Sequence, residues 1–160
     1  MKKTAIIPGS FDPMTKGHAA LIDAASQIFE RVVVAVCVNF DKKSLFSPEQ
    51  RLEIAKKTLE GKERTEVILH TGWLYDLVSS IPDSVLVKGV RNAQDLEYEN
   101  KMAEFNFEKC GVHTLYLPSQ GEFFDLSSTE VRRLLWQNGD WKRFVAQNAQ
   151  KTIEKFYTEK

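Results

Sequence analysis

The sequence is poor in cysteine and in long apolar runs. Its only two cysteines are Cys37 and Cys110, and their separation does not suit a metal site. No stretch approaches the roughly 18 consecutive apolar residues that a transmembrane helix needs. The first apolar run ends at Pro8, which is too early for a signal peptide. We therefore expect a cytoplasmic protein without a membrane span, in which Cys37 is a small buried apolar residue.

Net charge is also missing. Lys and Arg together number 22, as do Asp and Glu, so no overall field draws the chain to nucleic acid or to anionic lipid. Any anion site must therefore be a local cluster of donors. The chain has 160 residues, of which 42% are hydrophobic and 28% charged. These values predict one soluble globular domain that covers 1–160.

Two common nucleotide-binding motifs do not occur. The sequence contains neither the G-x-G-x-x-G of dinucleotide-binding proteins nor the G-x-x-x-x-G-K-[ST] of P-loop proteins. Both motifs bring backbone amides close to phosphates. Their absence disfavours NAD chemistry and P-loop phosphoryl transfer.

What the sequence does contain is an alternation of strand and helix patterns. Short runs rich in Val and Ile predict buried strands at 4–7, 31–38, 66–69, 85–87 and 114–117. Helical patterns fill the intervals and include 74–81, 95–110 and 127–137; short helices are expected from about 141. Capping boxes are predicted from Ser47 and from Ser127. This order predicts an α/β fold, a doubly wound, five-stranded parallel sheet of Rossmann-like type with helices on both faces.

In such a sheet, ligands bind beyond the carboxyl ends of the strands. The first loop at that edge, residues 9–18, reads GSFDPMTKGH. Gly9 lets backbone amides approach an anion, and His18 falls in the first turn of a helix whose N-terminus suits phosphate. A histidine there can donate a hydrogen bond to a phosphoryl oxygen as charge develops on it. A lone histidine would more often bond only its neighbours, but the surrounding residues favour a function.

This loop resembles the T/H-x-G-H signature of the nucleotidylyltransferase superfamily. A second superfamily element, a Ser/Thr-rich turn entering a late helix, is matched by residues 126–132, LSSTEVR. Residues 88–99, KGVRNAQDLEYE, and the lysine loop 41–46, DKKSLF, are similar to segments of the phosphopantetheine adenylyltransferases. The resemblance covers residues 3 to 148 and rests on four separated motifs.

The resemblance implies an activity and its participants. The adenylyl group of ATP would pass to 4′-phosphopantetheine, giving dephospho-coenzyme A and pyrophosphate, with Mg²⁺, in a homohexamer that coenzyme A inhibits. The implied catalytic residues are His18, Lys42 and Arg91, and the implied acceptor contacts are Ser10, Lys42, Leu74 and Lys88. The implied ATP site consists of Ser10, Phe11, His18, Gly89, Val90, Arg91, Glu99, Phe123, Phe124, Asp125, Leu126, Ser127, Ser128 and Thr129.

The donor residues also make chemical sense for this reaction. A phosphate oxygen of the acceptor attacks the α-phosphorus of ATP, so the protein needs no nucleophile of its own. It must hold two polyanions together and stabilise charge on the α-phosphate, for which His18, Lys42 and Arg91 are suitable donors. Arg91 offers a planar fork, and Lys42 a flexible point charge. Mg²⁺ is expected to bind mainly through the ATP phosphates, without a protein metal site, because the sequence has no carboxylate cluster.

Some positions depart from the family pattern. Lys88 stands where Arg is usual, Lys16 where Asn is frequent, and Thr129 where Ser is common. The acidic Asp125 has no explanation beside a triphosphate. None of these departures removes a reacting group.

Two other functions stay open. Another nucleotidylyltransferase, acting on nicotinate mononucleotide or using CTP, would share the first and last motifs, but segment 88–99 disfavours it. A regulatory module that binds nucleotide without catalysis would not need His18, Lys42 and Arg91 together. Considered alone, Lys42 would be a solvated loop lysine and Glu99 a solvent-facing helix residue.

Overall fold

The centre of the protein is a five-stranded parallel sheet, seen in a computed structural model that describes residues 3–39, 43–118 and 126–159. The strands lie in the order β3-β2-β1-β4-β5. The strands β1, β2 and β3 are thus added in one direction, and β4 then pairs with the other side of β1. A crevice forms between β1 and β4, where the direction reverses. The predicted doubly wound sheet is confirmed. Its strands are Thr4–Gly9 (β1), Arg31–Val38 (β2), Thr65–Thr71 (β3), Ser84–Val90 (β4) and Thr114–Pro118 (β5).

Helices connect the strands and follow the last one. They are Lys16–Ile28 (α1), Pro48–Thr58 (α2), Leu74–Ser80 (α3), Ala93–Cys110 (α4), Ser128–Trp136 (α5) and Gln147–Thr158 (α6), with a 3-10 turn at Lys142–Phe144 before α6. None of the helices in the described ranges is long and apolar enough to cross a membrane.

The helix caps follow the predicted chemistry in one case and depart from it in another. Ser47 and Gln50 exchange hydrogen bonds at the start of α2, with Pro48 as the first helical residue, so the predicted capping box is confirmed. At α5, Ser127 accepts from the backbone N–H of Glu130 at 3.2 Å. The second half of that predicted box is wrong, because the Glu130 carboxylate pairs with Arg133 in the same helix instead.

Both faces of the sheet are covered. On one face, Ile7 and Val34 pack with Ile22 of α1 and Ala55 of α2, and on the other, Ile6 and its neighbours pack under α3. A third cluster joins α2 to α5 and α6 and contains Phe46, Ile54, Val131, Leu135, Trp141, Val145, Ala149, Ile153 and Phe156. This cluster therefore holds α5, whose start borders the crevice, against α2 and α6.

Candidate active site

A cleft of about 610 Å³ opens at the carboxyl ends of β1 and β4, where the strand order reverses. It contains most of the predicted site residues. Those that line it are Ser10, Phe11, His18, Leu74, Lys88, Gly89, Arg91, Glu99, Leu126, Ser127, Ser128 and Thr129. Val90 lies at the end of β4 opposite Pro118 of β5 and does not line the cleft. Lys42, Phe123, Phe124 and Asp125 lie outside the described residues.

The loop after β1 is folded around the ring of Phe11. Phe11 is buried and adopts a left-handed backbone conformation, with φ of 48°, which is unusual for a residue with a side chain. Its ring lies over Gly9, where an added Cβ would come within 2.8 Å of Phe11 Cζ. The ring also meets the His18 imidazole edge-to-face, with centroids 5.1 Å apart. Gly9 is therefore required for close packing, and Phe11 helps to orient His18.

His18 takes part in a capping box at the start of α1. The Thr15 N–H donates to His18 Nδ1 at 3.0 Å, and the His18 N–H donates to Thr15 Oγ1 at 3.4 Å. A backbone N–H can only donate, so Nδ1 must be the unprotonated nitrogen of the ring. The proton of the neutral imidazole then lies on Nε2, which bonds to no described residue and is available as a donor in the cleft.

Electrostatics keep this imidazole neutral. Burial, and secondarily the positive charge of Arg91, lower the pKa of His18 to about 4. At neutral pH, His18 is thus an uncharged donor through Nε2. A neutral donor can stabilise charge that develops on a phosphoryl oxygen without transferring a proton to it.

Arg91 connects the starts of α4 and α5. Its Nε donates to Asp95 Oδ2 at 3.2 Å, and its Nη1 makes a long contact of 3.5 Å with the carbonyl oxygen of Leu126. These contacts leave the guanidinium at the cleft wall, partly open to solvent. Arg91 is therefore held in place while still able to bind an anion.

Lys88 and Glu99 form an ion pair, although the family resemblance places them on different substrates. Lys88 Nζ lies 3.1 Å from Glu99 Oε2, and the two side chains are only 24% and 18% exposed. Glu99 thus faces the cleft rather than solvent. Because both side chains are largely withdrawn from water, each fixes the position of the other.

The hydroxyl groups at the start of α5 all make hydrogen bonds within the protein. Ser127 Oγ accepts from the Glu130 N–H as the helix cap, Ser128 Oγ donates to the Pro13 carbonyl at 2.8 Å, and Thr129 Oγ1 accepts from Arg132 Nη2 at 3.0 Å. Ser127 and Thr129 therefore keep their O–H groups available as donors, whereas Ser128 does not. These two hydroxyls and the backbone N–H groups of the first turn can both donate to a phosphate.

A smaller cavity of about 100 Å³ adjoins the cleft and was not predicted from the sequence. It shares Leu74, Lys88, Tyr98 and Glu99 with the cleft. Its further lining residues are Leu86, Met102, Ala103, Asn106 and Thr114. The sequence could have indicated this cavity, because the spacing of positions 99, 102, 103 and 106 places them on one face of a helix.

Two polar groups of this smaller cavity are buried. The Asn106 side chain donates to the Met102 carbonyl at 2.9 Å, and the Thr114 hydroxyl is buried with no hydrogen-bond partner among the residues that the structure describes. Buried polar groups are rarely left unsatisfied. The cavity therefore offers a ligand both apolar contact and hydrogen bonding.

Cys37 and the acidic residues also bear on the chemistry of the cleft. Cys37 packs against the core on the α3 face of the sheet, but it is only partly buried and also lines the cleft, so the prediction of a buried apolar residue is only partly correct. Among the described residues, no group of three or more His, Cys, Asp or Glu could hold a metal ion.

The fold and this cleft define a nucleotidyltransferase, and a cytidylyltransferase-like family model matches residues 6–134. The chain belongs to the phosphopantetheine adenylyltransferases. The phosphopantetheine adenylyltransferase of Christiangramia forsetii is 34% identical over 143 residues, which are 89% of this chain and 95% of that protein. The one from Clostridium botulinum strain 657 is 38% identical over 144 residues, 89% of this chain and 88% of its own.

A solved structure supports the fold independently. The nicotinic acid mononucleotide adenylyltransferase of Plasmodium falciparum, complexed with NaAD, matches 99% of this chain and 98% of its own with a TM-score of 0.70. At 19% sequence identity this likeness shows a shared fold.

Proposed function

We propose that the protein transfers the adenylyl group of ATP to 4′-phosphopantetheine, forming dephospho-coenzyme A and pyrophosphate. This assignment rests mainly on one observation, which is that the cleft and the smaller cavity lie next to each other. The cleft bounded by the starts of α1 and α5 provides phosphate donors, and it shares Lys88 with an adjoining cavity lined by apolar side chains, Asn106 and Thr114. A triphosphate and a phosphorylated amide-bearing arm would meet between them.

The ATP end of the site accounts for the chemical step. An oxygen of the acceptor phosphate attacks the α-phosphorus, the bond to the β-phosphate bridging oxygen breaks, and its electrons leave with pyrophosphate. The attacking phosphate oxygen carries charge already, so no protein base is needed. Nε2–H of His18 and the Arg91 guanidinium would stabilise the negative charge that builds on the α-phosphate, and they would act in a partly dry cleft where such contacts are strong.

The acceptor end accounts for specificity. Lys88 would bind the acceptor phosphate at the mouth of the smaller cavity. Leu74 and Met102 would contact the aliphatic part of the arm, while Asn106 and Thr114 could exchange hydrogen bonds with its amide groups. An acceptor with a sugar and a pyridine ring would not use this combination of narrow apolar walls and buried polar groups.

Mg²⁺ is proposed as the cation that accompanies ATP and neutralises its phosphates. Among the described residues, two carboxylates beside the phosphate donors are paired with cations, Glu99 with Lys88 and Asp95 with Arg91, which makes them poor metal ligands. This pairing supports binding of Mg²⁺ mainly through phosphate oxygens and water. Chelation by EDTA should stop the reaction, and excess Mg²⁺ should restore it; full activity in EDTA would contradict the proposal.

A homohexamer inhibited by coenzyme A is proposed as the working form. Exposed apolar side chains on and beside α4, namely Trp73, Tyr98, Met102 and Phe107, support burial between subunits. Coenzyme A carries both the adenylate and the arm of the product, so it should compete with both substrates. Light scattering should give six times the monomer mass. The two unbridged thiols suit a reducing cytoplasm as the proposed location.

A substrate panel tests the assignment. Pyrophosphate release should be fastest with ATP and 4′-phosphopantetheine. Replacing ATP by CTP, or the acceptor by nicotinate mononucleotide, should lower kcat/KM by at least about 10²-fold, because buried polar groups would be left unpaired. Comparable turnover with nicotinate mononucleotide would contradict the proposed acceptor.

A further inference from the structure

A buried arginine lies directly behind the floor of the cleft. Arg51 of α2 is 2% exposed, and its Nη1 donates to the carbonyl oxygens of Ser10 at 2.6 Å and Cys37 at 3.0 Å. Ser10 follows β1, Cys37 lies at the end of β2, and both residues line the cleft. One guanidinium thus joins the carboxyl ends of two adjacent strands from the side opposite to the substrate.

The peptide that Arg51 holds leads into the strained residue of the site. Phe11, next to Ser10, has φ of 48°, a conformation that is unfavourable for a residue with a side chain. Such a backbone persists only where neighbouring contacts hold it. In a trans peptide the C=O and N–H point in opposite directions. With the Ser10 carbonyl directed at Arg51, the Phe11 N–H points away from the guanidinium.

Arg51 is held by hydrogen bonds rather than by an ion pair. Within residues 3–39, 43–118 and 126–159, its guanidinium donates to the Ser10 and Cys37 carbonyls and forms no ion pair. The nearby Asp12 carboxylate accepts from the backbone N–H groups of Leu45 at 2.8 Å and Phe46 at 2.9 Å. Because the charge of Asp12 offsets part of the charge of Arg51, the arginine acts on the loop mainly through its hydrogen bonds.

We propose that Arg51 is a positioning residue for ATP. It fixes the Ser10–Phe11 peptide in the conformation that binds the nucleotide, and it does so through the Ser10 carbonyl without touching the substrate. This inference rests on the proposed function only in taking ATP as the ligand of the loop.

Binding of ATP alone, measured by calorimetry, tests the proposal on three variants. Arg51→Met keeps the length of the side chain and removes its donors and charge, and we expect ATP to bind at least tenfold more weakly. Arg51→Lys keeps the charge but not the fork, and we expect a loss of at least threefold that is smaller than that of the Met variant. Lys56→Met, which removes an exposed charge from the same helix, is the control and should bind ATP like the wild type.

Thermal unfolding separates positioning from a purely structural role. A structural role would lower Tm while the folded variant bound ATP with wild-type affinity, and that result would overturn the proposal. If Arg51→Met does not fold, Arg51→Lys decides, and wild-type ATP affinity in that variant would overturn the proposal as well. The assay contains no acceptor, so an enzyme that binds ATP but does not use 4′-phosphopantetheine would contradict the proposed function and leave the Arg51 comparison intact.

Discussion

Thr15 and His18 cap the same helix by exchanging hydrogen bonds, the Thr15 N–H to His18 Nδ1 at 3.0 Å and the His18 N–H to Thr15 Oγ1 at 3.4 Å. Because Nδ1 accepts a hydrogen bond, the proton of the imidazole lies on Nε2. The same hydrogen bond fixes the orientation of the ring and stabilises α1. The residue expected to act on the α-phosphate is therefore also a structural residue. Its two roles can be separated, because Gln is a natural partner of Thr in a capping box.

His18→Gln and His18→Ala should therefore differ in stability and in activity. Gln can accept the Thr15 N–H and should leave the free energy of unfolding nearly unchanged, whereas Ala should lose about 0.5 to 2 kcal/mol. Ala should lower kcat about 10²- to 10³-fold, because it presents no donor to the phosphate, and Gln should lower it less, because its amide N–H can donate but from a different position. Denaturant titration and steady-state kinetics measure the two effects. Wild-type turnover by folded His18→Ala would rule out the proposed role.

The lowered pKa of His18 predicts a specific dependence on pH. Above pH 6.5 the residue is neutral in both the folded and the unfolded chain. As pH falls from 6.5 towards 4, the unfolded chain gains a proton at His18 that the folded protein does not, so the free energy of unfolding decreases in this window. His18→Gln should show a shallower decrease there. Nitrogen chemical shifts of the imidazole should report the neutral Nε2–H form at pH 7, and a charged ring at pH 6 would contradict this assignment.

The position of the Lys88–Glu99 pair predicts that Lys88 matters more for binding of the acceptor than for binding of ATP. Lys88→Ala should raise the KM for 4′-phosphopantetheine by about tenfold and change the KM for ATP less, because an ammonium at the mouth of the smaller cavity is lost. Lys88→Arg should stay active. Lys101→Ala is a matched control, since Lys101 pairs with Glu97 on the exposed side of the same region. If Lys88→Ala leaves the acceptor KM and kcat unchanged, Lys88 does not bind the acceptor.

Lys42 and Arg91 are predicted to act on the same reacting phosphates. Lys42→Ala and Arg91→Ala should each reduce kcat/KM by about tenfold or more, and the loss in the double variant should differ from the sum of the single losses. A double-mutant cycle in kcat/KM measures this coupling. Fully additive losses would place the two side chains on separate groups. A small loss at Lys42 that disappears at high salt would indicate a solvated lysine instead.

The strands and helices could be predicted where the local sequence pattern agrees with the tertiary structure. The Val-rich run 31–38 is a strand with the predicted bounds, and Ser47 caps α2 as expected. Strand β4 extends to Val90, beyond the predicted 85–87, because its ladder continues through Lys88 and Gly89, where the apolar pattern stops.

The side-chain arrangement of the site could not be predicted in the same way. Lys88 and Glu99 are eleven positions apart, and only the packing of α4 on β4 brings them together. The Thr15–His18 exchange was not predicted because histidine is not a usual capping-box residue. Trp136 is 62% exposed while the nearby Trp141 is buried, because Trp141 packs in the cluster of α2, α5 and α6 and Trp136 does not. Motifs thus located the cleft, but tertiary contacts decide which groups are paired within it.

The most direct test of the assigned reaction is pyrophosphate formation from ATP with and without 4′-phosphopantetheine. Release is expected only when both substrates and Mg²⁺ are present, with one dephospho-coenzyme A formed for each pyrophosphate. His18→Ala, which removes the Nε2–H donor, should abolish most of that release. Release that is independent of the acceptor, or ATP binding without any release in its presence, would contradict adenylyl transfer to 4′-phosphopantetheine.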